Sequence, residues 1–170
     1  TTVLHKLRII DNDWGLKRED TVYRIISPAF LIDGIYKSME GPKASNYIQL
    51  SRHVDVLWLK SFSVTAINAK TNEKISNDYI CHTNVDFNDL VYYRNFNLSE
   101  RIGRQYPRMT SLSHGQETFA FPKGFGVPMK GTDILFVTTQ TLNHNKPDIN
   151  LQVKHEVDIN YTRQNLKPLM

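Results

Sequence analysis

Six histidines, His5, His53, His82, His114, His144 and His155, are the side chains in this 170-residue sequence most suited to chemistry. Imidazole titrates near neutral pH and is a common metal ligand. Two of the six stand out by position. His82 lies in Tyr79-Ile80-Cys81-His82-Thr83-Asn84, on an expected strand otherwise apolar on that face, and His144 lies where an apolar run meets a loop, in Leu142-Asn143-His144-Asn145. On neighbouring strands these imidazoles could converge, and neutral imidazole suits copper and zinc. A local His-Xaa-His pair is missing, so the ligands would have to come together through the fold. Other chemistries find less support. Ser113 and His114 are adjacent, but no motif supplies an orienting acid. The glycine-rich Phe121-Pro122-Lys123-Gly124-Phe125-Gly126-Val127-Pro128 lacks the spacing of a phosphate loop and reads as a turn that needs glycine. Nothing resembles the nucleophile elbow of a hydrolase.

The elements that must position these side chains read as strands. No long segment repeats apolar residues at a period near 3.6, and a helix at 92–100 competes evenly with loop. Strands are expected at 21–26, 30–38, 54–67, 79–87, 119–121, 134–144 and 151–161. In 54–67, Val56, Trp58, Phe62 and Val64 favour one face, with Leu57 and Leu59 on the other. In 134–144, Ile134, Phe136, Leu142 and His144 share a face. The clearest alternation is in 151–161. There Val153, His155, Val157, Ile159 and Tyr161 point inward, and Lys154, Glu156, Asp158 and Asn160 face water. Residues 145–150 are expected as a hairpin loop between these last two strands, and 103–107 as another loop. Many short strands at regular spacing predict an all-β fold, a two-sheet antiparallel β-sandwich of jelly-roll type, as a single domain over 1–170.

Composition narrows the function classes. Apolar residues make up 40% of the chain and charged residues 22%, which fits a folded globular domain. No apolar run nears the roughly 20 residues of a membrane-spanning helix. The net charge is +4, but basic and acidic residues alternate, as in Lys17-Arg18-Glu19-Asp20, so no nucleic-acid partner is expected. The sequence opens at Thr1 without a signal peptide and reads as a mature or trimmed chain, exported to a periplasmic or extracellular space. The single cysteine, Cys81, excludes an internal disulfide. On a regular strand it points away from the His82 face and packs as a buried core thiol. A bulge would turn both side chains to one side.

Four segments taken in order, Cys81-His82, Pro122-Lys123-Gly124-Phe125-Gly126, the strand 136–144 and Asn160-Tyr161-Thr162-Arg163, resemble a known family. It is that of the copper type II, ascorbate-dependent monooxygenases, which includes peptidylglycine α-hydroxylating monooxygenase and dopamine β-monooxygenase. The likeness is to their N-terminal domain and covers residues 54–163. It implies a metal site of one copper ion in which His82 matches the second histidine of the family's pair and His144 the later, separate histidine. Cys81 replaces the first histidine of the pair, which leaves His114, in the loop before the Pro-Lys-Gly turn, as the third candidate ligand. Met109 and Met129 could add a soft sulfur to Cu(I). The family uses two domains and two coppers, so a chain of this length implies one half of an enzyme, an electron-transfer domain or a copper-handling domain. Its partner would be a second copper domain or a redox protein. The competing expectation is a non-catalytic binding or structural module on the same fold with a degenerate metal site. A small-ligand carrier using the sandwich interior is a third.

Overall fold

The computed structural model describes residues 9–10, 13–104, 107–144 and 150–168. His5 and most of the expected 145–150 loop lie outside them, as do two residues of the 103–107 loop. The strands are β1 (Gly15–Arg18), β2 (Val22–Ile26), β3 (Phe30–Ile32), β4 (Lys43–Gln49), β5 (Val56–Asn68) and β6 (Ile80–Phe87). After the helix α1 (Asp89–Asn95) come β7 (Arg108–Ser113), β8 (Thr118–Ala120), β9 (Phe125–Lys130), β10 (Ile134–Thr141), β11 (Leu151–Thr162) and β12 (Lys167–Pro168). They form two sheets. The wide sheet runs β1-β2-β11-β5-β9-β12, with β3 also on β11 and β8 also on β5. The narrow sheet runs β4-β10-β6-β7. Every pairing is antiparallel except β12 with β9. The expected all-β sandwich is therefore the fold.

Strand β11 alternates as its sequence says. Val153, His155, Val157, Ile159 and Tyr161 are buried, and the residues between them face outward. On that outer face Arg24 of β2 pairs with Asp158 through two hydrogen bonds of 2.8 and 3.1 Å. The core lies between the sheets. Leu57, Leu59, Phe62 and Val64 of β5 meet Leu135 and Val137 of β10, Val85 of β6 and Leu112 of β7. Each of these buried side chains stabilises the fold by about 1.5–3 kcal/mol relative to exposure.

Two phases differ from the expectation. In β5, Leu57 and Leu59 share the inner face with Phe62 and Val64, and Trp58 and Val56 turn outward. The cause is a bulge. Asn160 pairs with Ser61 but Tyr161 pairs with Leu59, which leaves Lys60 as an extra residue that resets the alternation. In β10, Leu135, Val137, Thr139 and Thr141 point inward, while Ile134 and Phe136 face outward. The connectivity differs as well. β10 belongs to the narrow sheet and β11 to the wide one, so they face each other across the core and do not form a hairpin.

The segments on which the monooxygenase resemblance rests have structural duties here. Gly124 takes φ +88° in the turn before β9. A Cβ on Gly126 would lie 2.9 Å from the Leu59 carbonyl oxygen. At the end of β11 the Tyr161 ring stacks on Tyr23 at 4.4 Å, and Arg163 donates to Asp55 at 2.9 Å.

Candidate functional site

The three expected metal ligands fall into two places. His82 sits on β6 opposite Gln140 of β10 and Ser113 of β7. Ile80 and Thr83 on either side are both fully buried. The ladder shifts register between Gln140 and Thr141, so Cys81 is an inserted residue and shares the outer face with His82. Cys81 is thus half-buried and not a core thiol. Its Sγ lies 3.5 Å from the Met39 backbone N–H and 3.9 Å from Ser38 Oγ. The His82 Nδ1 is enclosed with no hydrogen-bond partner. Burial, helped by the charges of Lys43 and Arg108, holds the His82 pKa below its ordinary value.

His114 and His144 meet elsewhere. Both line a small cleft of about 130 Å³ at one end of the sandwich, with Ser76, Asp78, Tyr79, Leu142 and Asn143. His114 Nδ1 is 3.5 Å from Asp78 Oδ1 and 3.5 Å from the Asn77 carbonyl oxygen, long distances for hydrogen bonds. His82 does not line this cleft. The strands β6 and β10 are neighbours, as convergence requires, but His82 stands opposite Gln140, four residues before His144. Among the described residues no three His, Cys, Asp or Glu side chains form a group able to hold a metal. The three-histidine copper site implied by the monooxygenase resemblance is therefore not assembled among the described residues. The methionines give it no support either, since Met109 and Met129 lie together beside α1 and away from the cleft.

His155 is wholly buried. Its Nδ1 lies 2.6 Å from Thr139 Oγ1, which lies 2.7 Å from Thr83 Oγ1. This chain of three polar groups crosses from the wide sheet to the narrow one. Burial lowers the His155 pKa to about 4, against the opposing pull of the Tyr79 carbonyl. The imidazole is neutral at pH 7, the state in which it can bridge the sheets without a buried charge.

A larger site is formed mostly by residues outside those motifs. Between α1 with its following turn and β9 with residues 165–168 lies a groove of about 820 Å³. The volume is in the usual range for small-molecule sites. Asn88 caps α1 by accepting a hydrogen bond from the Val91 N–H, and the helix holds Tyr92 and Tyr93 against Phe87 of β6. Ring centroids are 4.5 Å apart for Phe87 and Tyr92, and 5.1 Å apart for Tyr92 and Phe96. Burial raises the Tyr92 hydroxyl pKa well above its ordinary value. Trp58 and Phe121 supply further aromatic wall. Trp58 is here because the Lys60 bulge turns it out of the core, and its indole Nε1 has no acceptor. Only the aromatic density of 87–96 and Trp58 hinted at this site in the sequence.

Comparison with known proteins adds little. No family model matches the chain, and no curated protein matches it. Among solved structures, one described as "Crystal structure of 60-mer BFDV Capsid Protein" aligns over 88% of this chain and 95% of that one. The identity is 7% and the TM-score 0.28, a likeness too slight to carry an argument. Among the described residues no helix is long and apolar enough to cross a membrane.

Proposed function

We propose that this chain is a non-catalytic binding module on a β-sandwich, with the groove beside α1 as its ligand site. The groove itself carries this reading: about 820 Å³ lined largely by aromatic and aliphatic side chains. An apolar concavity of that size with a few polar groups at its wall is the usual form of a small-molecule site. A neutral aromatic probe, 2-naphthalenemethanol, is expected to raise the thermal midpoint. At ten times its Kd the stabilisation is about 1.4 kcal/mol, or about 3–6 °C for a domain of this size. Leu98→Trp, which fills the groove from its rim, should abolish the shift. A wild-type midpoint that does not move with the probe, or a shift that survives Leu98→Trp, counts against the groove.

A second reading retains a copper ion held by the two histidines of the small cleft, His114 and His144. Imidazole suits Cu(II) or zinc, and water would have to complete the coordination. Isothermal titration with Cu(II) should then give one site per chain. His144→Ala should weaken it by at least about tenfold through loss of a ligand, and His82→Ala should leave it unchanged. Equal affinity in wild type and His144→Ala would make His144 a loop residue only.

A further inference from the structure

We infer that the groove beside α1 selects an organic anion, a flat apolar body carrying one carboxylate or sulfonate, with Arg101 as the group that recognises the charge. This rests on the groove being the ligand site. Among the described residues its lining contains two arginines, Arg101 and Arg108, and no aspartate or glutamate. A site for a neutral ligand has no use for that imbalance, and a cationic ligand would be repelled by it.

The two arginines differ. Arg108 donates through Nε to Asp86 at 3.0 Å, so its charge is already matched by a largely buried carboxylate. Arg101 has no carboxylate partner among the described residues. It follows α1 in a short 3-10 turn, Ser99–Arg101, which fixes it at the wall of the groove. Its charge is felt at Tyr92, where it opposes the rise in hydroxyl pKa that burial causes. The guanidinium is a planar fork of donors matched to a carboxylate or sulfonate, and it stays charged at any working pH. Beside it the rings of Phe87, Tyr92 and Phe96 form a continuous aromatic surface. Flat apolar bodies pack on such a surface in offset or edge-on geometry. The volume of the groove accommodates a molecule of two or three fused rings or of comparable bulk.

Two probes of nearly equal shape separate charge from apolar burial: 2-naphthoate and 2-naphthalenemethanol, titrated calorimetrically into wild type and Arg101→Gln. A hydrogen-bonded charge pair should favour the carboxylate by at least about tenfold in wild type. In Arg101→Gln the two probes should bind within about twofold of each other, with the alcohol unchanged from wild type. Because Arg101 makes no side-chain hydrogen bond or ion pair among the described residues, the variant should keep the wild-type circular dichroism and melting temperature. Equal affinities in wild type, or a carboxylate preference that survives Arg101→Gln, would overturn the inference while leaving the groove as a neutral site. Binding of neither probe would overturn the groove reading, and this inference with it.

Discussion

Lowering the pH from 7 to 5 should cost the protein on the order of 2 kcal/mol of stability through His155 alone, rising to about 3 kcal/mol by pH 4. The folded-state pKa is about 4, lowered chiefly by burial. In the unfolded chain the value is near 6.5. Between these values the unfolded state binds a proton that the folded state refuses, so stability rises with pH across this window. The contribution is fully present above the unfolded pKa and is lost as pH falls toward the folded one. Titratable neighbours are few. Among the described residues, the titratable side chain that acts on His155 is His82, and it acts in the same direction. Urea denaturation at pH 7, 6 and 5 would read the slope directly. His155→Leu should be less stable at pH 7, because the Thr139 hydroxyl keeps Thr83 but loses its bond across the sheets, and its stability should vary much less with pH. A slope identical in wild type and variant would mean that other groups govern the acid response.

How much of this was legible in the sequence depends on which interactions fix each element. Strand β11 was legible because only one of its two faces is apolar, so period two has a single solution. Strand β10 was not. Ile134, Leu135, Phe136 and Val137 are all apolar, so alternation fits either phase, and only packing against β11 decides that Leu135 and Val137 go inward. Strands β4 and β7 escaped notice because their buried sides, Ala44 and Ile48 in one and Thr110 and Leu112 in the other, are diluted among polar residues. The histidines teach a similar lesson. Sequence could suggest that the strands of His82 and His144 are neighbours, which they are. It could not supply the register that sets them four positions apart, and a metal site depends on register. His155 was legible as an inward core residue, but its partner Thr139 lies in the opposite sheet and carries no sequence signal. The groove was least legible, since its walls come from β5, β6, α1, β7, β9 and the segment after β11. Each contributes a side chain or two that is unremarkable in its own stretch.

Deleting Lys60 should prevent the chain from folding, whereas Lys60→Ala should change stability by no more than about 0.5 kcal/mol. The side chain is exposed, so its truncation removes little. Its backbone is another matter. Lys60 is the extra residue that lets Leu57 and Leu59 share the inner face with Phe62 and Val64. Without it, one half of β5 must turn over, because a one-residue slip moves every side chain to the opposite face. If the first half turns, Leu57 and Leu59 are exposed and Trp58 is driven into a filled core. Exposing the two leucines costs about 3–6 kcal/mol, and forcing in an indole adds about 1–3 kcal/mol of overpacking. Together these approach the whole stability of an ordinary domain, about 5–15 kcal/mol. The damage would not stop at β5. Residues 56–59 pair with β9 and residues 61–63 with β8, so the bulge is also where one neighbour gives way to the other. The Lys60 carbonyl accepts the Phe121 N–H at 3.0 Å between them. Circular dichroism and urea denaturation of the deletion and of Lys60→Ala would separate backbone from side chain. A deletion variant with a wild-type spectrum and midpoint would show that the bulge is dispensable, and that the phase of β5 is set by something other than this residue.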